Sequence, residues 1–101
     1  MVSRMRVKWS KNAYFDLFEA DLYLKQQNPA KAKEMALAVR SAESLLCEYP
    51  GVAREGRIFG TREYILKKFP YLIVFRVLPE ELEILAFFHT SRQPLEQDDL
   101  H

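Results

Sequence analysis

The chain has little of what several protein classes require. It contains a single cysteine, so no disulfide can form within it, and no cysteine–histidine spacing is typical of a zinc site. No apolar run approaches the roughly 18–20 residues of a membrane span. The first residues are rich in basic side chains and lack the apolar segment of a signal peptide. We therefore expect a cytoplasmic protein without a metal, another cofactor or a membrane contact.

Length and composition indicate one compact domain. A chain of 101 residues is too short for two independent cores, and a hydrophobic content of 49% excludes the disordered class. We expect one domain over residues 1–101, with flexible termini at about 1–3 and 95–101. The net charge is +1, but basic residues concentrate between Arg54 and Arg76, and acidic residues follow from Leu78 onward. This asymmetry favours contact with a polyanion or an acidic protein segment, with simple solvation as the alternative.

Hydrophobic periodicity predicts an α+β fold with the order β-α-α-β-β-β. Residues 4–9 alternate as in a half-buried strand, and two helices follow. The predicted helices run from the N-cap Ser10 to about Gln27 and from Asn28–Pro29 to the break at Pro50–Gly51. After a loop over residues 51–59, the predicted strands are Thr61–Leu66, Tyr71–Leu78 and Glu81 to about His89. We expect an αα-hairpin packed on a small twisted, mainly antiparallel sheet.

The segment from Gly56 to Pro94 reads GRIFGTREYILKKFPYLIVFRVLPEELEILAFFHTSRQP. It resembles the carboxy-terminal half of toxins of the RelE/ParE superfamily. The matching motifs are Gly-Thr-Arg-Glu at 60–63, Pro-Tyr at 70–71, Phe-Arg-Val at 75–77, Glu-Ile-Leu at 83–85, and His89 with Arg92. The first strand, the helical hairpin and the Pro-Gly break also agree, so the resemblance covers about residues 5–94.

The resemblance implies the toxin of a type II toxin–antitoxin, plasmid-stabilisation-like system. Such a toxin inhibits growth when freed from a cognate antitoxin, which wraps it and carries the complex to operator DNA. ParE-like members poison DNA gyrase, whereas RelE-like members cut mRNA in the ribosomal A site. RelE-like nucleases carry an arginine where this chain has Leu72, and many end with a tyrosine, whereas no aromatic residue follows His89. The pattern therefore favours ParE, with a ribosome-dependent nuclease and an inactive antitoxin-binding relative as alternatives.

The candidate site consists of one histidine and several basic side chains. His89 is the candidate acid–base residue, and with Arg62 and Arg92 it would be catalytic if the protein is a nuclease. Arg62 and the adjacent Glu63 point to opposite faces of the strand, so only one of them can face a site. Arg62 is preferred because Tyr64 and Leu66 lie beside it on the strand. The residues expected to bind the target or a polyanion are Arg57, Arg62, Lys67, Lys68 and Arg92. A packed His89 and solvated lysines are the structural alternatives.

Arg76 and Glu83 are interpreted as a structural pair. A tight turn at Pro79–Glu80 would place them opposite each other on neighbouring strands. Glu83 would then neutralise the charge that a phosphate needs.

The first predicted helix has more aromatic residues than one core face can hold. These residues are Tyr14, Phe15, Phe18 and Tyr23. We expect them to form an apolar patch for a partner, with the antitoxin as the first candidate and self-association as the second.

Overall fold

The computed structural model of the chain describes residues 5–91. Its sheet has five strands in the order β1-β5-β4-β3-β2, in which β1 is parallel to β5 and the other neighbours are antiparallel. The predicted α+β class and mainly antiparallel sheet are confirmed. The elements are β1 (Arg6–Trp9), α1 (Lys11–Gln27), α2 (Pro29–Glu48), a short 3-10 helix (Pro50–Val52), β2 (Arg54–Glu55), β3 (Arg62–Ile65), β4 (Tyr71–Leu78) and β5 (Glu81–His89).

The strand β2 was not expected. The interval 51–59 was predicted as a loop, but two of its residues pair with β3, in the register Arg54↔Glu63 and Glu55↔Arg62. A two-residue strand is too short to produce a recognisable alternation of apolar and polar side chains. The order is therefore β-α-α-β-β-β-β.

Side-chain caps fix both helices where the sequence predicts. The Ser10 hydroxyl accepts the Ala13 N–H at 3.1 Å, and the Asn28 side chain accepts the N–H groups of Ala30 and Lys31. These contacts satisfy amide groups that have no partner inside a helix. Between residues 5 and 91, no helix has the length and apolar character needed to cross a membrane.

The sheet is buried on both faces. One face packs against the helices, with a core that includes Met35, Leu46, Ile73, Phe75, Leu82, Ile84 and Phe87. The other face holds a smaller cluster of Leu72, Val74, Ala86 and Phe88, against which Ile58 packs from the segment between β2 and β3. Burial on both faces explains why β4 and β5 are nearly continuous apolar runs.

The β4–β5 hairpin has the predicted register. Arg76 pairs with Glu83 across the strands, and the Arg76 Nε lies 2.8 Å from the Glu83 Oε1. The predicted contact between these two side chains is confirmed. A register shift between Val74 and Phe75 brings Phe75 opposite Ile84. Such a bulge bends the hairpin and increases its twist beneath the helices.

Side chains of α1 and its cap cover the carboxy-terminal half of β5. The parallel pairing with β1 ends at Ile84. Among residues 5–91, the following edge of β5 has no strand partner on that side. The Asp16 carboxylate accepts the Phe87 N–H at 3.3 Å, and the Ser10 hydroxyl donates to the Leu85 carbonyl at 3.3 Å. These contacts satisfy edge groups that could otherwise pair with another chain.

Candidate functional site

The outer side of α1 carries exposed aromatic rings. The helix buries Ala13 and Ala20 and packs Leu17 and Leu24 partly against the core, while its aromatic side chains stay at the surface. Between 56% and 65% of each ring residue is exposed. These residues are Tyr14, Phe15, Phe18 and Tyr23. Contiguous apolar surface of this kind is typical of a protein–protein contact.

Three of these rings form one surface, and the fourth lies apart from it. At about 100° per residue, Tyr14, Phe15 and Phe18 fall within an arc of about 100° around the helix axis. Leu22, 45% exposed, falls on the same arc and was missed in the sequence because only aromatic residues were considered. We name these four residues the α1 patch. Tyr23 points to a different side of α1.

Tyr23 belongs instead to the corner that contains Tyr71 and His89. Burial raises the pKa of the Tyr71 phenol, and the nearby Tyr23 raises it further. The Tyr71 ring stacks on Phe87 with a centroid distance of 4.9 Å. Tyr71 also meets the His89 ring edge-on at 5.3 Å, as its register opposite His89 requires. Sequence reasoning did not place Tyr71 or Tyr23 beside His89, because the pairing of β4 with β5 brings them together.

His89 combines an exposed ring with a local structural contact. Its Nδ1 accepts the Ser91 backbone N–H at 3.2 Å and lies 2.8 Å from the Ser91 hydroxyl. An Nδ1 that accepts this N–H places the proton of the neutral ring on Nε2. The ring therefore closes the turn after β5 and presents Nε2–H outward. Acid–base chemistry at Nε2 would need a second charged group beside it.

Arg62 does not lie beside His89. It pairs with Phe75 on β4, whereas His89 pairs with Tyr71. Four residues along a strand correspond to about 13 Å. The Arg62 guanidinium donates to the Ala53 carbonyl at 2.9 Å, so it holds the segment before β2. The expectation that Arg62 and His89 would lie together is wrong, and Arg92, the third member of that set, lies outside the described residues.

The other expected polyanion-binding residues form two separate groups. Arg57 lies between β2 and β3, whereas Lys67 and Lys68 form the turn between β3 and β4. The four residues of β3 separate the groups. The charge excess seen in the sequence is therefore divided between two ends of one strand and does not form a continuous basic surface.

Glu63, rather than Arg62, is the charged residue that β3 buries. Its side chain is 1% exposed and accepts from Arg54 Nη2 at 3.0 Å and from the Arg57 backbone N–H at 3.1 Å. Sequence reasoning preferred Arg62 for the site because Tyr64 and Leu66 lie beside it on the strand. The apolar run of residues 72–75 was the available signal that both faces are covered.

A groove of about 500 Å³ lies between α2 and the β3–β4 turn. Apolar side chains form most of its lining, with Lys67 and Lys68 at one rim and Glu34 from α2. Its apolar residues are Leu37, Ala38, Ala42, Leu45, Tyr64, Leu66 and Phe69. The sequence did not predict it, because the groove exists only where α2 and the turn diverge.

Comparison with known proteins gives the family. Residues 7–94 match the family model described as the ParE toxin of the type II toxin–antitoxin system, parDE. A Sinorhizobium fredii (strain NBRC 101917 / NGR234) protein named "Putative toxin Y4kP" is 35% identical over 92 residues, which cover 91% of this chain and 95% of that protein.

Two solved structures share the fold. The structure titled "Chromosomal ParDE TA system from P. aeruginosa" has a TM-score of 0.77 at 22% identity, covering 89% of this chain and 100% of that one. The solution structure of the conserved hypothetical protein HP0894 from Helicobacter pylori has a TM-score of 0.58 at 24% identity, covering 87% and 97%. The sequence match over nearly the whole chain, on a helical hairpin packed against this sheet, shows that the chain belongs to the ParE toxin family of type II toxin–antitoxin systems.

Proposed function

We propose that this toxin arrests growth in the cytoplasm by poisoning DNA gyrase. The observation that carries the proposal is the position of Leu72. RelE-like nucleases carry an arginine there, whereas Leu72 is 2% exposed and packs with Val74, Ala86 and Phe88. A side chain enclosed in that cluster cannot reach a phosphate. The separation of Arg62 from His89 supports the same choice, because a metal-free nuclease needs its acid–base group and its cation at one phosphate.

The gyrase contact is proposed at the carboxy-terminal end of β5. His89 is exposed there, and Arg92 follows outside the described residues. The test is to add the purified protein to gyrase with plasmid DNA, and separately to translating ribosomes with message. We expect inhibited supercoiling or trapped cleaved DNA in the first assay and intact message in the second. Message cleavage that disappears in His89→Ala at an unchanged thermal midpoint would instead establish the RelE-like alternative.

The cognate antitoxin is proposed to bind the α1 patch. Exposed rings on one rigid helix can be buried with little loss of backbone entropy, and aromatic residues are enriched among those that dominate binding energy. The antitoxin would also supply the contact of the complex with operator DNA. Gyrase and ribosome assays that are both negative, with tight antitoxin binding retained, would favour an inactive relative.

A charge placed in the α1 patch tests the antitoxin contact. Phe18→Asp should weaken antitoxin binding about tenfold or more, because the partner would have to bury an unpaired carboxylate. Ala36→Asp is the matched control, since it adds the same charge at an exposed position on α2. Isothermal titration of both variants measures the difference. Equal affinities would place the antitoxin elsewhere.

A further inference from the structure

Phe59 is the most exposed large apolar residue among residues 5–91. Its exposure is 102% of the reference value, whereas the other exposed large apolar residues reach at most 65%. It lies between β2 and β3, in a segment we name the 56–61 tip. The helix that carries the α1 patch packs mainly on β5 and α2, and the strands β4 and β3 separate β5 from β2 in the sheet. Phe59 is therefore a separate feature from the proposed antitoxin surface.

Hydrogen bonds hold the 56–61 tip in one conformation. The Gly56 N–H donates to the Thr61 carbonyl at 2.8 Å. Both the N–H and the hydroxyl of Thr61 donate to the Ile58 carbonyl, at 3.1 and 2.6 Å. Ile58 then packs against the apolar cluster on the sheet. A segment fixed at both ends in this way loses little conformational entropy when its exposed ring is buried by a partner.

Glu63 anchors the 56–61 tip and pairs with two arginines that lie close to Phe59 in the chain. Its buried carboxylate accepts the Arg57 backbone N–H, and it pairs with the Arg54 and Arg57 guanidinium groups at 3.0 and 3.9 Å. Those two arginine side chains are still 55% and 48% exposed. The buried carboxylate offsets one of the two charges, so the outer surface around Phe59 has a positive rim. An apolar centre with a charged rim is the usual anatomy of an interaction anchor.

We propose that Phe59 is an anchor that enters an apolar pocket with an acidic rim on the protein that the toxin poisons. The inference rests on the proposed function and adds a second contact, distant from His89. Arg54 and Arg57 would face carboxylates at the edge of that pocket. Such pairs mainly set orientation and association rate, while the ring supplies most of the apolar burial.

Charge and geometry favour a pocket on the poisoned protein over two alternatives, a single-stranded nucleic acid and a second copy of this chain. Single-stranded nucleic acid could stack on the ring, but strong binding requires several free cations along a groove. Glu63 offsets one of the two neighbouring arginine charges, and Lys67 and Lys68 lie beyond the other end of β3, so the described cations near Phe59 do not form such a row. A second copy of the chain offers the groove beside α2, which lies on the helix side of the sheet. Two lysines and one carboxylate, Glu34, line that groove, so entry of Phe59 would bring Arg54 and Arg57 toward a surface of the same charge sign.

The test compares variants of the full chain in gyrase inhibition, antitoxin binding and thermal unfolding. Phe59→Ala should raise the toxin concentration for half-inhibition about tenfold or more. The thermal midpoint and the antitoxin affinity should stay unchanged. Phe59→Leu should lose less than Phe59→Ala because it keeps an apolar side chain. Phe59→Asp should lose more than Phe59→Lys because of the acidic rim.

Tyr49→Ala is the matched control, an aromatic residue that is 58% exposed outside both the α1 patch and the 56–61 tip. It should leave gyrase inhibition and antitoxin binding intact. Wild-type inhibition that persists in Phe59→Ala would overturn this inference alone, whereas a wild-type protein that spares gyrase would overturn the proposed function as well. Wild-type binding to a fluorescent single-stranded DNA that is lost in Phe59→Ala, with gyrase inhibition retained, would replace the protein pocket with base stacking.

Discussion

At the scale of single residues, Gly56 is where the chain tolerates no side chain. A Cβ at this position would lie 2.1 Å from the Thr61 hydroxyl oxygen and 3.0 Å from two backbone atoms of the same residue. The hydroxyl cannot rotate away without breaking its hydrogen bond to Ile58. The requirement for glycine therefore comes from the close approach of Gly56 and Thr61, the two ends of the segment between β2 and β3.

Gly56→Ala should lower the free energy of unfolding by about 1–3 kcal/mol, the usual range for overpacking. Gly51→Ala is the control, because no atom lies within 4 Å of its Cβ position. That variant should be neutral or slightly stabilising, since alanine restricts the unfolded chain more than glycine does. Urea denaturation measures both. Similar losses in the two variants would contradict the close approach.

Ionisation of Tyr71 should lower the stability of the folded protein at alkaline pH. Burial, and then Tyr23, raises the pKa of its phenol in the folded state. The folded protein therefore holds this proton more tightly than the unfolded chain does. The resulting stability is complete below the unfolded pKa of about 10 and is lost as pH rises through the folded pKa.

Tyr71→Phe should reduce that alkaline loss. Tyr49→Phe, at a position 58% exposed, should leave it as in the wild type. The measurement is the urea midpoint of each protein in steps from about pH 8 to about pH 11, which brackets the ordinary tyrosine range. Parallel pH profiles for Tyr71→Phe and the wild type would show that Tyr71 is not responsible.

At the scale of elements, Ser10 connects α1 to the edge of β5. Its hydroxyl oxygen accepts the Ala13 N–H, and the same hydroxyl donates to the Leu85 carbonyl. Ser10→Ala should cost about 1–2 kcal/mol, the upper part of the range for lost N-caps, because two contacts disappear. Ser44→Ala, exposed within α2, should be neutral or slightly stabilising, because alanine is the better helix former. Thermal unfolding compares them, and equal midpoints would mean that the cap contributes nothing.

The elements also show which parts of the fold can be predicted from the sequence. Ser10, Asn28 and Pro29 predict the helix starts because capping is local chemistry. The stripe from Ala32 to Leu46 on α2 is buried as its spacing predicts. On α1 the helical spacing of Ala13, Leu17, Ala20 and Leu24 also predicts the core face, since the alanines are buried and the leucines pack against the core. The two-residue β2 could not be predicted, since its pairing with β3 depends on contacts outside its own sequence.

At the scale of the whole molecule, Trp9 links three elements of the fold, so its fluorescence reports on their packing. It lies on β1, which pairs with β5 from the far end of the described chain. Its indole N–H donates to the Glu43 carboxylate on α2 at 2.7 Å, and its ring meets Phe87 at 6.1 Å. One side chain thus joins the first strand, the second helix and the last strand.

Unfolding should therefore be a single transition. Tryptophan fluorescence comes from this residue alone, because the chain has one tryptophan. The fluorescence and far-ultraviolet circular dichroism curves in urea should superimpose, as expected for a cooperative domain of this size. Trp9→Phe keeps an aromatic ring but removes the donor to Glu43 and should lower the free energy of unfolding by about 1 kcal/mol. Fluorescence that changes before circular dichroism would indicate that β1 detaches first.

The sequence by itself determined the properties that depend on neighbours along the chain. These are the helix starts, the strands β4 and β5, the Arg76–Glu83 pairing through a short turn, and the excess of rings on α1. Only the tertiary structure decided that Glu63 is buried instead of Arg62, and that Arg62 lies far from His89. It also decided that the 56–61 tip covers the second face of the sheet and presents Phe59. The alternation of side chains along a strand shows that two adjacent residues point to opposite faces of the sheet. Which of those faces is buried depends on segments that pack there from elsewhere in the chain.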